Sequence, residues 1–422
     1  MTADPPIPTP APEENSPGLA KTLGGWQILL YGLGSMLGAG IYALVGKASA
    51  GLGNAVWAAF LVAMTAALLT GLSYACLGGR YAKAGGAAYV THRALRRPLL
   101  SYVVGLAVMM SGLTSMATGS QAMVDNIANA MHLSLPDWMS KLSAIGIVFL
   151  IGCVIYRGMR ESMWLNILCT IIEASGLIFI IIVGAKYWGG VDYMETPGDA
   201  AAGGGAGSGL TAALILNGAV LTFFSFWREL ALSKAPLMDV AHRAAPWFKG
   251  IDGVFAVITL FAIGNTALLN YLMGSRLLYG MSGQGLLPPL LGKVHPVRRT
   301  PHVAIVVLFV IVSALILAGG VKQLAEATVL LLLSVFTVVN FSLVVLKRRP
   351  SEPKGGFDVP LAVPILGSVV CAVLIVKRIH TALTSTEAGT HIAPLIALAV
   401  IAVSVALYRV LKPADEAVAT AG

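Results

Sequence analysis

Three short stretches of this sequence carry residues whose types and spacing could do chemistry. The first is Gly32-Leu33-Gly34-Ser35-Met36-Leu37-Gly38-Ala39-Gly40-Ile41-Tyr42, inside a long apolar run. Glycines at 32 and 34 would serve as a packing face in a membrane helix. The succession Gly38-Ala39-Gly40 covers every face of a helix, so close packing and a helix broken at mid-membrane both suit it. A break would expose N–H groups that hold a carboxylate and C=O groups that hold an ammonium or a cation. The second stretch is Ile171-Ile172-Glu173-Ala174-Ser175-Gly176, with one carboxyl deep in apolar surroundings. A charge there is costly, so Glu173 is expected to be protonated, paired or facing water. The third is Phe223-Phe224-Ser225-Phe226-Trp227, which on its residues alone reads as an interfacial aromatic anchor.

Other polar residues are plainer. Asn265, Thr266 and Asn270 are expected to bond across helices. The seven histidines show no pair with metal-ligand spacing on a helix face. Cys76, Cys153, Cys169 and Cys371 read as small apolar residues, not as a disulfide framework or a metal site. No P-loop, Gly-x-Ser-x-Gly or zinc motif is present, which argues against an enzyme. Neither a cofactor nor a metal is implied.

The elements that must position these residues are membrane helices. Of 422 residues, 57% are hydrophobic and 11% charged, and the mean hydropathy is +0.82. Soluble domains carry about 25% charged residues, so a soluble or disordered chain is excluded. Eleven apolar segments fall roughly at 26–45, 56–77, 100–117, 142–155, 164–185, 210–227, 253–279, 303–318, 327–345, 361–376 and 392–410. Residues 1–22 and 413–422 are expected to be cytoplasmic tails, the first disordered and not a cleaved signal. They flank a transmembrane domain over 23–412.

The net charge of +9 does not point to nucleic acid, because most basic residues sit in short loops between spans. Arg80, Lys83, Arg93, Arg96 and Arg97 follow the second segment, and Arg157 and Arg160 follow the fourth. Lys293, Arg298 and Arg299 follow the seventh; Lys347, Arg348, Arg349 and Lys354 follow the ninth. All four loops are expected to be cytoplasmic. The fifth segment must then end outside and the seventh inside, with two apolar segments in that interval. Two full crossings would return the chain to the outside, so a span is missing or one does not cross.

Four stretches resemble the amino acid–polyamine–organocation (APC) superfamily of permeases. The run from Gly34 to Tyr42 is similar to its first-span signature. Tyr81-Ala82-Lys83-Ala84-Gly85-Gly86-Ala87-Ala88-Tyr89 resembles its first cytoplasmic loop, and Gly158-Met159-Arg160-Glu161-Ser162 the entry to its fifth span. Ser275-Arg276-Leu277-Leu278-Tyr279-Gly280-Met281, with Gly285-Leu286-Leu287-Pro288 and Arg299-Thr300-Pro301, resembles the exit of its eighth. Two departures stand in the second-span region: Ala75-Cys76-Leu77 replaces the usual Ala-Glu-Leu, and the proline before Ala-Gly-Gly is absent.

The resemblance implies an all-α polytopic membrane protein with the leucine-transporter-type inverted-repeat fold. The first and sixth spans of that fold are broken at the substrate site. It implies that Ser35, Gly38, Ala39, Gly40 and Ile41 line the substrate, with backbone and hydroxyl groups on its carboxylate. The sixth-span counterpart would be Phe223, Ser225, Phe226 and Trp227, with carbonyls on the ammonium and an aromatic gate. Some family members carry a lysine at the place matching Glu173, where sodium-coupled relatives hold the cation. Glu173 is therefore a candidate coupling group.

The resemblance also implies a deletion. Arg228-Glu229-Leu230-Ala231-Leu232-Ser233-Lys234-Ala235-Pro236-Leu237 is similar to the family's external loop after the seventh span, yet follows Trp227 directly. The second half of the sixth span and the seventh are lacking, about one and a half helices. The expectation is about ten full spans plus a half-helix at 210–227 that does not cross, which resolves the parity. The implied function is secondary active transport of amino acids across the plasma or inner membrane by alternating access. Proton coupling or exchange is expected, and a neutral substrate is favoured because Glu173 is the one acidic side chain obviously placed for a distal charge. The partners are then the amino acid, the bilayer and protons. The alternative is a degenerate paralogue that no longer transports and serves as a binding or regulatory subunit.

Overall fold

The computed structural model describes residues 24–43, 56–81, 86–131, 133–185, 241–242, 244–283, 285–384 and 391–411. With no water in a hydrocarbon core, each apolar segment must satisfy its backbone internally, and the described residues do so as helices. They are α1 (Gly25–Ala43), α2 (Val56–Arg80), α3 (Gly86–Leu95), α4 (Pro98–Ala130), α5 (Asp137–Arg157) and α6 (Met159–Gly184). Then follow α7 (Ile251–Gly283), α8 (His302–Ala318), α9 (Val321–Lys347), α10 (Ala362–Thr384) and α11 (Ile392–Leu411). Eight of these are long and apolar enough to cross a bilayer, and α8 is a shorter apolar helix. Each expected apolar segment has its helix except 210–227, which lies outside the described residues together with the proposed deletion point.

Three differences from the sequence expectations have physical reasons. Residues 38–40 belong to an unbroken α1, which corrects the expected unwinding. Glycine inside a helix costs about 1 kcal/mol relative to alanine, which does not by itself break one. Helix α4 runs past the apolar segment that ended at 117, because its polar residues are buried in the bundle. Gln121 donates from Nε2 to the carbonyls of Ile316 and Gly319 (3.0 and 2.9 Å) and so caps the end of α8. Helix α3 is additional; it is too short to span and buries Ala87, Val90, Thr91 and Ala94 along one face.

Helices α4, α7 and α9 form the centre. More than half of each one's apolar stretch is buried, whereas little of α11 at the edge is. Helices α4 and α7 each have 33 residues and pack on one another. At 1.5 Å per residue each is about 50 Å long, so both tilt or project beyond a core about 30 Å thick. Helix α9 is tied in by buried polar links. Thr328 donates to Thr114 of α4 (2.8 Å), and Asn340 donates to Thr70 of α2 (2.9 Å). Glu326 pairs with Arg378 of α10, both buried.

At one end of the bundle an ionic clamp joins α2, α3 and the α9–α10 loop. Asp358 receives Arg80 (2.9 Å) and Lys347 (2.6 Å), and the Cys76 thiol donates to it (3.2 Å). Glu352 receives Arg93 (2.7 Å) and the Tyr81 hydroxyl (2.8 Å). Arg349 donates to the carbonyls of Arg93 and Ala94 at the end of α3 (2.8 and 2.6 Å). The Cys76 thiol thus stands beside an acid supplied by the α9–α10 loop.

Hydrogen bonds from Lys347, Cys76 and Arg80 hold the Asp358 carboxyl well below the usual range. Burial pushes the Glu352 carboxyl up, but hydrogen bonds from Arg93 and Tyr81 outweigh it and leave it lowered. Burial first, then the Glu352 contact, pushes the Tyr81 hydroxyl up to about 12. Folded-state values below the unfolded ones make the clamp's contribution full above the ordinary carboxylate range and lost as pH falls towards the lowered values. Asp358→Asn should therefore lower the thermal midpoint by about 2 °C at pH 7. The gap should narrow as pH drops below about 5 in unfolding scans of the detergent-purified protein. A gap that is constant with pH would show that the charge of Asp358 contributes nothing to it.

Candidate functional site

The candidate site is a polar junction where α1, α6 and α7 meet. Helix α6 places Asn166, Thr170 and Glu173 on one face by their i, i+4, i+7 spacing, and α7 adds Asn265. All four side chains are fully buried. Thr170 donates to the Asn166 carbonyl (2.8 Å) and accepts from Asn265 Nδ2 (3.2 Å). The Asn265 side chain also interacts with the Glu173 carboxyl. Asn166 Nδ2 and Asn265 Oδ1 have no hydrogen-bond partner among the described residues. Buried polar atoms are seldom left so, and an amide pair with spare capacity beside a carboxyl suits a polar visitor.

Gly34 is what allows α1 to approach this cluster. A Cβ at position 34 would lie 2.3 Å from Thr170 Oγ1, 2.7 Å from Asn265 Nδ2 and 3.1 Å from Asn166 Oδ1. The first two are closer than real Cβ atoms come, so any side chain here would push α1 away. A Cβ at Gly32 would meet nothing within 4 Å. The two glycines look alike in sequence and differ entirely in role.

Sequence reasoning found Glu173 and Asn265 and missed the juxtaposition. Asn166 and Thr170 were overlooked, although their helical spacing from Glu173 was visible. Ser35 lies on α1 with an exposed side chain. The backbone of Gly38, Ala39, Gly40 and Ile41 continues α1. Phe223, Ser225, Phe226 and Trp227 lie outside the described residues. The structure thus places Glu173 among the buried polar residues of α6 and α7, and the remaining predicted contacts stand on sequence resemblance.

A bundle of helices long and apolar enough to cross a bilayer, packed around a buried polar junction, is the architecture of a polytopic membrane protein. The amino acid permease family model matches residues 23–227 and 227–407, two stretches that meet at Trp227. The chain belongs to this family, within the APC superfamily. It is 25% identical to the methylthioribose transporter of Bacillus subtilis (strain 168), covering 87% of this chain and 90% of the relative. It is 24% identical to the branched-chain amino acid permease BcaP of the same organism, covering 85% and 88%. It is 26% identical to cationic amino acid transporter 4 of Mus musculus, covering 79% of this chain and 61% of the relative.

The paired glycines give a direct check. Gly34→Ala should destabilise the protein by about 1–3 kcal/mol, the usual range for overpacking a tight contact. Gly32→Ala should be neutral or stabilising by up to about 1 kcal/mol. Equal midpoints for the two variants in thermal unfolding would mean that α1 does not approach the α6–α7 cluster as described.

Proposed function

We propose that the protein is a secondary transporter that moves a neutral amino acid across the plasma or inner membrane by alternating access. Glu173 couples this movement to protons or to exchange. The observation that carries the reading is the buried junction of Asn166, Thr170, Glu173 and Asn265 against Gly34. An ionised carboxylate in such a place is expensive unless a cation or further donors meet it. A change in its charge is therefore linked to how closely α1, α6 and α7 pack, and helices that pack in two ways are what alternating access requires.

In this reading the substrate lies along α1 beyond the junction, against Ser35, Gly38, Ala39, Gly40 and Ile41. The side-chain-poor run lets a ligand reach the helix backbone. Phe223, Ser225, Phe226 and Trp227 close the other side. The neutral preference rests on the described residues, among which the buried acid other than Glu173, Glu326, is paired with Arg378 and so not offered to a distal ammonium. Both termini are cytoplasmic, because that orientation puts the basic loops inside.

The meeting of the family match at Trp227 supports a chain that lacks part of the sixth span and the seventh. It also favours a second reading: a degenerate paralogue that binds an amino acid and regulates without transporting. Uptake of labelled amino acids into proteoliposomes separates the two. The transporter reading expects uptake that depends on pH and a Glu173→Gln variant whose uptake does not. A variant with the parent's pH profile makes Glu173 structural. Binding without uptake in the parent protein supports the paralogue.

A further inference from the structure

On the outer wall of the bundle, away from the polar junction, α5 and α8 leave a groove of about 370 Å³ between them. Its depth comes from small residues. Gly152 and Cys153 of α5 face Ile305 and Val306 of α8, and Tyr271 of α7 forms the floor. The floor is fixed. The Tyr271 hydroxyl donates to the Ile305 carbonyl (2.7 Å), and a Cβ at Gly152 would lie 3.1 Å from that hydroxyl. One end is closed by Phe149 and Phe309, edge to face at 5.9 Å. Phe149 and Val306 are 55% and 61% exposed, so the groove opens sideways, onto the apolar flank of the bundle.

The other end is built differently. Tyr156 and His302 line it, and the Arg298 guanidinium stands 4.5 Å from the centre of the Tyr156 ring. Arg298 is held there by its turn. His295 Nδ1 accepts from the N–H groups of Val297 and Arg298 (3.3 Å each), and Arg299 closes the turn in the left-handed region (φ 51°). His295 packs edge-on against both Tyr156 and His302. Thr300 ties the turn to α5 through the Tyr156 carbonyl (3.2 Å). Helix α8 starts at His302 with no acidic residue in its first turn, so the positive end of its dipole is uncompensated by its own side chains. In sequence Arg157 adjoins Tyr156 and Arg299 adjoins Arg298, and Glu161 is the one carboxylate that follows α5 closely. The Nδ1 atom of His302 is buried without a hydrogen-bond partner among the described residues.

An apolar trough eight residues long on each helix, about 10 Å from end to end, ending in a cationic cluster on the basic-loop side, has the two-part chemistry of a phospholipid. We infer that the α5–α8 groove is a binding site for an anionic phospholipid, with an acyl chain against Cys153 and Val306 and the phosphate at Arg298 and the start of α8. A zwitterionic headgroup would bring its own cation to the same cluster, which is why the occupant is anionic. This site is independent of the transport reading, since none of its residues belongs to the α1–α6–α7 junction.

Cys153 supplies the readout, because it is the exposed cysteine of the chain while Cys76, Cys169 and Cys371 are buried. The purified full-length protein in detergent is labelled with an apolar maleimide, and Cys153→Ser identifies the reacting thiol. Phosphatidylglycerol should slow labelling at a concentration about five-fold below that needed with phosphatidylcholine, and inorganic phosphate should not slow it. Arg298→Gln, on an exposed turn, should bring phosphatidylglycerol to the phosphatidylcholine level. Val306→Trp, which fills the trough, should remove protection by both lipids. Equal protection by the two lipids in the parent protein would reduce the groove to ordinary bilayer contact. Protection by phosphate alone would make it an anion site without a lipid. Labelling untouched by any of the three would overturn the proposal outright.

Discussion

Polar groups inside a hydrocarbon layer must be met by the protein itself, and the organisation of this bundle follows from that constraint. It is most severe where α1, α6 and α7 converge, because three amide or hydroxyl side chains and a carboxyl are buried together there. Their shared hydrogen bonds tie α6 to α7, and α1 packs over them only because position 34 has no side chain. One missing Cβ thus sets the distance between the first helix and the two that flank the candidate site.

The same logic repeats elsewhere with other residue types. At α9 and α10 a Cβ on Gly367 would lie 2.9 Å from Asn340 Oδ1, and Asn340 reaches Thr70 from that seat. At the end of the bundle the solution is ionic, with Asp358 shared by Arg80 and Lys347 from separate helices and Glu352 holding Arg93 and the Tyr81 hydroxyl. Small residues set the close approaches at Gly34 and Gly367, and shared charges tie α2, α3 and α9 at the end of the bundle. In the long central pair α4 and α7 the close approaches again fall at small residues, Gly112 against Asn270 and Gly274 against Leu113.

Much of this was legible in the sequence. Runs of apolar residues marked the helices, since hydrocarbon leaves few other solutions for a spanning backbone. The end of α4 was not legible, because Thr118, Ser120, Gln121 and Asn126 lower the hydropathy that defines a span and are nonetheless buried. The integrity of α1 was not legible either, since Gly38-Ala39-Gly40 suits a broken helix and a whole one equally. Glu173 stood out as a lone acid. Its neighbours did not, because Asn265 lies more than ninety residues away and only tertiary packing brings it to Thr170. The groove between α5 and α8 left no sequence signal at all: Gly152 and Cys153 read as ordinary span residues.

The central claim is that the Glu173 carboxyl changes charge when the protein engages its substrate. Infrared difference spectroscopy on the purified protein measures this directly, comparing spectra with and without a mixture of neutral amino acids. The account predicts a change in the protonated-carboxyl stretching band that disappears in Glu173→Gln. Substrate-induced changes elsewhere in the spectrum, with that band unmoved in the parent protein, would contradict it.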